Sequence, residues 1–349
     1  MRTHIYSLVI MMLIGAFFLS PCYAVKMSSL YEITEPVASQ STQDRLQGIR
    51  QGLQQVLIRV SGDSTIVNQP GVKTALKKPE RFVQEYSYLD PPSAADTGFI
   101  LKMRFDDEAI AQILDETGVA VWGENRPLIL LWLSVASSKG MEIIGNASPS
   151  PVYILLQKQA TQDGLPIIFP VMDITDLNQI PADTILSTPV TIVTEASKRY
   201  SPDAILLGQW RQMGTMVQSH WRLSLGPQQW EWTISGNDTE VVSTLTANIS
   251  QTLSKHYAVT PAKQSITSMT LEISGINQSD DLSQVVAVLK QVPTVKRVQL
   301  LEVSDEKVAF TVYLQNSVEN FKQNVALNPH LVLQSKDNEA STLRYNWIP

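Results

Sequence analysis

The spacing of apolar positions along the chain changes several times, and the changes divide it into units. Over residues 39–60, Leu46, Ile49, Leu53, Val56, Leu57 and Val60 recur at three- and four-residue intervals, which predicts a helix with one buried stripe. Ser41 or Thr42 can cap its start, Asp44 suits its first turn, and Gly62 ends it. Arg45, Arg50 and Arg59 fall largely off the stripe and are expected on the solvated face. Residues 29–37 read as an edge strand and 70–76 as a short helix, while 81–89 fit either strand or helix. Phe99, Leu101, Met103 and Phe105 alternate with Ile100, Lys102 and Arg104, the period of a strand with one apolar face. Asp106, Asp107 and Glu108 then open a helix closed by Gly118, where their charge complements the positive end of the helix dipole.

A polar turn, Trp122-Gly123-Glu124-Asn125-Arg126-Pro127, leads into the pivotal strand, residues 128–135, which is apolar on both alternations and so expected to be covered on both faces. Residues 137–151, rich in Gly and Pro, read as a loop, and a helix then ends at Asp163-Gly164. Residues 165–172 read as a second buried strand running into Asp173-Ile174-Thr175-Asp176, and 189–200 as a helix with Ile192, Val193 and Ala196 inward. Three strands, 204–212, 217–225 and 229–235, joined by Gly-containing turns, predict an antiparallel meander closed by a helix over 238–257. After a linker at 258–265, the order strand, helix, hairpin, helix, strand predicts a ferredoxin-like β-α-β-β-α-β module. The expected fold class is α+β. An amino-terminal α/β module spans 25–127, a central mixed sheet with helices spans 128–259, and the ferredoxin-like module spans 266–349.

Residues 1–24 stand apart. Arg2 precedes an apolar run over 5–19, Pro21 breaks it, and Cys22-Tyr23-Ala24 places small residues before a cut. This is the pattern of a secretory signal peptide cleaved near Ala24, and it implies a periplasmic location with no membrane span after cleavage. Cleavage removes Cys22, the only cysteine, and with it disulfides, thiolate catalysis and cysteine metal ligation. The net charge of −6 becomes one unit more negative with the loss of Arg2, and no basic run is long enough to track phosphates. Nucleic acid is therefore not an expected partner.

Little chemistry is signalled. His220, His256 and His330 lack metal-ligand spacing, and there is no Gly-x-Ser-x-Gly elbow, phosphate loop or dinucleotide fingerprint. No catalytic residue, metal or cofactor is assigned. Asp173 and Asp176 are the best-placed carboxylate pair, beyond a strand end where α/β sheets bind ligands, but turn and capping duties explain them without any ligand. Trp210, Trp221, Trp230 and Trp232 all fall on the meander. With a two-residue turn at Gly226-Pro227, Leu223 faces Trp230 and Trp221 faces Trp232, giving either a stacking platform or a sheet face covered by the 238–257 helix. In the pivot, Trp122 is expected to pack, Arg126 to bridge modules and Pro127 to set the strand entry, with Asn125 beside them.

These motifs carry a resemblance. Asp44-Arg45, the 57–62 run Leu-Ile-Arg-Val-Ser-Gly, Tyr86-Ser87-Tyr88, Phe105-Asp106, the Trp122–Pro127 turn, Arg199-Tyr200 with Asp203, and Tyr345-Asn346-Trp347 resemble family 2066 of unknown function, found in Gram-negative bacteria. The central unit is loosely similar to the amino-terminal domain of the Tol-Pal translocation protein B and to flagellar assembly proteins. The resemblance implies an exported envelope protein and supplies no catalytic residues. The expectation is a non-catalytic protein-binding or assembly factor whose partners are envelope proteins. The alternative is an envelope enzyme or a glycan or peptide binder using Asp173 and Asp176 or the tryptophan sheet.

Overall fold

The structure is a computed structural model that describes residues 25–26, 30–91, 97–137, 140–258, 267–304, 307–315, 317–335 and 342–348. The expected signal segment with Cys22, and all of the expected linker except Ala258, lie outside the described residues. The chain is α+β.

In the amino-terminal module, β1 (Val25–Lys26) precedes β2 (Glu32–Val37) and the long helix α1 (Thr42–Ser61). The Ser41 hydroxyl accepts the Asp44 N–H at 3.2 Å, and Gly62 ends the helix with φ 68°. The α1 stripe packs with Leu101, Met103 and Phe105 in one buried cluster. After α2 (Pro70–Ala75), the ambiguous 81–89 segment becomes a strand, β3 (Val83–Leu89), with Tyr86 opposite Met103 and Tyr88 opposite Leu101 of β4 (Phe99–Phe105). The sheet order is β2-β4-β3, all antiparallel. In α3 (Asp107–Thr117) the acidic start is a cap: Asp106 Oδ1 accepts the Ala109 N–H at 2.9 Å.

The central sheet is organised on β6 (Ile129–Ser137), which follows β5 (Asn125–Arg126); β5 pairs with β1. Ile129, Leu131 and Leu133 enter one core, and Leu130 and Trp132 enter another on the opposite face. This two-sided burial is why both alternations of the strand are apolar. Its sequence neighbour β7 (Gly140–Ile144) forms a hairpin with it, so the expected 137–151 loop contains a strand; Gly140, at φ 115°, gives the backbone freedom the reversal uses. Next come α4 (Pro151–Asp163) and β8 (Ile167–Ile168). The long strand expected at 165–172 shrinks to these two residues because Pro166 and Pro170 have no N–H to give a ladder. β8 runs parallel to the first half of β6, on the flank whose second half takes β7.

Two short helices follow, α5 (Ile174–Gln179) and α6 (Val190–Ser197); Ile192, expected inward, is exposed. The meander forms as expected. β9 (Ala204–Met213) lies parallel to β6, and β10 (Met216–Leu225) and β11 (Gln228–Gly236) continue antiparallel. α7 (Asp238–Tyr257) lays Val241, Val242, Leu245, Ile249 and Leu253 onto this sheet.

The carboxyl-terminal module contains β12 (Thr267–Ser274), α8 (Ser279–Gln291), β13 (Val295–Val303), β14 (Lys307–Leu314), α9 (Val318–Val325), β15 (Leu331–Ser335) and β16 (Thr342–Trp347). The order is β13-β14-β12-β16-β15. The first strands keep the ferredoxin-like arrangement. The terminal strand departs from it: β16 inserts parallel to β12 and moves β15 to the edge. The insertion is favoured by Tyr345 and Trp347, which bury with Leu271, Ile273 and Phe310.

Candidate functional site

Asp173 and Asp176 are brought together, and both are already engaged. Asp173 caps α5, its Oδ1 accepting the N–H groups of Thr175 and Asp176, each at 3.1 Å. Arg199 donates to both Asp173 oxygens, Nη1 to Oδ1 at 2.9 Å and Nη2 to Oδ2 at 2.7 Å, a bidentate fork. The Arg199 hydrogen bond, with the Asp176 N–H behind it, holds the Asp173 carboxyl down at about 2. Asp176 is fully buried. Its Oδ2 accepts the Tyr200 hydroxyl at 2.5 Å and the Met172 N–H at 2.9 Å, while Oδ1 lies 3.4 Å from Arg199 Nη1. Burial and the hydrogen bond to Asp176 push the Tyr200 phenol up to about 12, so it stays a donor.

This clamp holds an unusual turn. Met172 has φ 62°, a left-handed conformation that is costly for a side chain of its size, at about 1–3 kcal/mol. The Met172 N–H is tied to Asp176, and the preceding Val171 N–H donates to Tyr200 Oη at 2.9 Å. Below the clamp, Trp132 meets the Tyr200 ring edge-on at 6.3 Å and donates to Ser197 Oγ at 3.0 Å. Above it, Val171, Ile174 and Leu177 stand out into solvent, Ile174 at 78% exposure. Val190 and Ile192, on the α6 helix that packs against α5, are exposed as well. The two carboxylates are tied to Arg199 and Tyr200 beside these exposed apolar side chains; the Asp173 side chain keeps 40% of its surface exposed and that of Asp176 none.

The tryptophan row has the expected register, Trp221 opposite Trp232 and Leu223 opposite Trp230. Trp210 and Trp221 are buried, and Trp230 and Trp232 are partly buried against the core that α7 completes. Trp221 Nε1 donates to Ser219 Oγ at 2.8 Å. Its ring lies over Gly208 on the neighbouring strand, where a Cβ would come within 2.2 Å of Cζ3. The row is therefore core for Trp221, and Trp232 is a half-covered margin of it.

The pivot is a joint. Trp122 is buried, and its backbone N–H donates to Val60 O of α1 at 2.7 Å. Arg126, also fully buried, stacks 3.8 Å from the Trp122 ring centroid. It donates from Nη2 to Arg59 O at 2.6 Å and Trp122 O at 3.1 Å, and from Nε to Gly123 O at 3.2 Å. Arg59 is not on a solvated face as expected. It is buried, bonding Leu30 O and Glu32 O in its own module and Gln162 O at the end of α4. The helix pattern misled here because Arg59 faces the neighbouring module, which one-element periodicity does not represent. Burial, then the Arg59 charge, push the Arg126 guanidinium down, though a guanidinium remains a cation at neutral pH. Burial raises the Asp163 carboxyl despite hydrogen bonds from Thr246 and Gln159 and the charges of both arginines. Asn125 pairs with Lys26 in the β1–β5 ladder, and Gly123 has no side chain because Pro293 of the carboxyl-terminal module lies where a Cβ would reach, at 2.7 Å.

Arg199 and Tyr200 are the partners of these carboxylates that the sequence pattern left unassigned; the signal was the Arg-Tyr pair before Asp203, whose Oδ2 accepts the Leu128 N–H at 2.7 Å. A separate groove of about 600 Å³, lined by Lys77, Lys78, Arg81, Phe82 and Ile113, lies in the amino-terminal module away from every expected site residue. No helix among the described residues is long and apolar enough to cross a membrane.

Comparison with known proteins adds little beyond the first module. A family model described as a domain of unknown function, DUF8605, matches residues 24–123, from the start of the amino-terminal module to the Gly123 of the pivot. None of the curated proteins matches the chain. Two solved structures are similar over 42% of this chain at 12% identity and a TM-score of 0.22. They are a competence-damaged protein (CinA) superfamily protein from Enterobacter cloacae, covered over 88% of its length, and a competence or damage-inducible protein from Enterobacter asburiae, covered over 93%. Likenesses of this size carry no argument about function.

Proposed function

We propose that this protein is a non-catalytic binding or assembly factor of the bacterial cell envelope, exported by its amino-terminal segment and acting in the periplasm on other envelope proteins. The observation that supports this reading is the group of exposed apolar side chains Val171, Ile174 and Leu177 beside the Asp173–Arg199 and Asp176–Tyr200 clamp, with Val190 and Ile192 exposed on the neighbouring helix. Clustered exposed apolar side chains mark contact surfaces. The hydrogen bonds that tie the backbone of Val171 and Met172 to Tyr200 and Asp176 reduce the ordering such a surface would need when a partner covers it. The alternative, an envelope enzyme or glycan or peptide binder, would use carboxylates that here bond Arg199 and Tyr200 and an indole row in which Trp221 is buried and bonds Ser219. The motif resemblance to family 2066 fits an exported protein, and the pivot motif then serves to hold the modules in one arrangement.

The test is cross-linking in intact envelopes with wild-type protein and with Ile174→Asp/Leu177→Asp. Both substitutions sit at exposed positions, so the variant should unfold at an unchanged urea midpoint. Wild type should give discrete adducts that the variant loses. Identical adducts from both would remove this surface from the account.

A further inference from the structure

The outer edge of the carboxyl-terminal sheet is self-complementary. β13 ends the strand order, pairing with β14 on one side and with no strand among the described residues on the other. Its alternate peptide groups therefore point outward unpaired, a ready template for another strand. From Lys296 on, every residue except Val298 is exposed, including Leu300, Leu301 and Val303. The run from 295 to 303 is Val-Lys-Arg-Val-Gln-Leu-Leu-Glu-Val. Turned about Gln299 and laid antiparallel on itself, it sets Val295 against Val303, Lys296 against Glu302 and Val298 against Leu300, in both halves at once. Only Arg297 against Leu301 lacks a match of kind.

Edge strands are normally protected by lysines and bulges. Both are present: β13 breaks register with β14 at Lys296 and at Leu301. In the two-fold arrangement, however, the lysine meets an opposite charge instead of opposing an approaching strand. The two bulges leave Arg297–Leu300 in continuous register with β14, centred beside the axis. The centre is also stiffened, because Arg297 stacks 4.2 Å from the Tyr313 ring centroid and the Tyr313 hydroxyl donates to Gln299 Oε1 at 3.4 Å. Val298 and Leu300 lie opposite the buried Val312 and Phe310, so pairing them across the axis would extend the apolar face of the existing sheet.

We propose that β13 is the site at which a second copy of this chain adds, antiparallel about a two-fold axis through Gln299, joining two five-stranded sheets into one. The occupant is a second copy rather than a foreign strand because the charge and apolar order of the edge complement themselves.

Sedimentation of the full chain as a function of concentration gives the dimerisation constant. Lys296→Glu and Glu302→Lys each replace two attractive contacts with two repulsive ones and should weaken the dimer roughly tenfold; the double swap Lys296→Glu/Glu302→Lys should return it close to wild type. Register is read with Gln299→Cys in a Cys22→Ser background. Directly opposed Cα atoms in an antiparallel pair sit roughly 4.5–5.5 Å apart, within disulfide reach. Mild oxidation should therefore link Gln299→Cys and leave Gln112→Cys, an exposed position in another module, unlinked. A chain that stays monomeric at high concentration would overturn the proposal. So would a dimer indifferent to the charge reversals, or equal linking at both cysteines.

Discussion

Arg126→Ala tests the reading of the pivot. The side chain makes three hydrogen bonds to main-chain carbonyls, of Arg59, Trp122 and Gly123, and stacks on the Trp122 ring. Hydrogen bonds from a charged donor are worth about 1.5–3 kcal/mol each, and a desolvated cation over an indole adds about 2 kcal/mol. Two terms oppose these. Burying the guanidinium beside Arg59 costs several kcal/mol, and Arg126 Nη1 is buried without an acceptor, at about 1–3 kcal/mol. The difference is a net loss of about 3 kcal/mol on truncation, at the lower end of what breaking a buried charged network costs. Because the Arg59 carbonyl belongs to α1 and Arg126 leads into the central sheet, the loss should fall on the contact between modules. Calorimetry with urea unfolding reads it: the amino-terminal module should unfold in a separate, earlier transition, and protease cleavage should appear around Gly62 and Gly164. Arg126→Lys keeps the charge but not the fork, and should fall between the two. A single transition with its midpoint unchanged in Arg126→Ala would refute the reasoning.

Other predictions follow from the two predicted ligand sites. Gly208→Ala places a methyl group 2.2 Å from Trp221 Cζ3 and should cost about 1–3 kcal/mol with a shift in tryptophan emission; an unchanged urea midpoint would contradict the packing. Trp221→Ala should cost about 3–5 kcal/mol in the same assay, whereas lost ligand binding with full stability would make the row a platform. Asp173 titrates at about 2 when folded against an ordinary 3.8, so its contribution to stability is present above about 4 and lost as pH falls through about 2. In Arg199→Gln, carboxyl NMR should find the Asp173 titration raised toward its ordinary range, with the Thr175 and Asp176 N–H groups still holding it below; an unmoved titration would remove Arg199 as the main cause.

Much of the fold was legible because it follows from single elements. The α1 stripe, the two-faced apolar run of β6 and the Gly-marked turns of the meander each state their own structure, and the Trp221–Trp232 register followed from the length of one turn. What stayed hidden depends on partners distant in sequence. Arg59 reads as surface on its own helix and is buried by α4. Capping by Asp173 was legible, but Arg199 and Tyr200, which tie the pair down, arrive from beyond α6. The insertion of β16 beside β12 depends on a choice between two neighbouring strands, β15 and β16, that alternation alone does not make.

Above the Asp173–Arg199 clamp lies the surface proposed to meet another envelope protein. A photoreactive amino acid placed at Ile174 in the full chain, irradiated in intact cells, tests it most directly, with the exposed Gln112 position in another module as control. Ile174 should give a discrete protein adduct that is absent at Gln112. An Ile174 lane without adducts, or one matching the control, would contradict it.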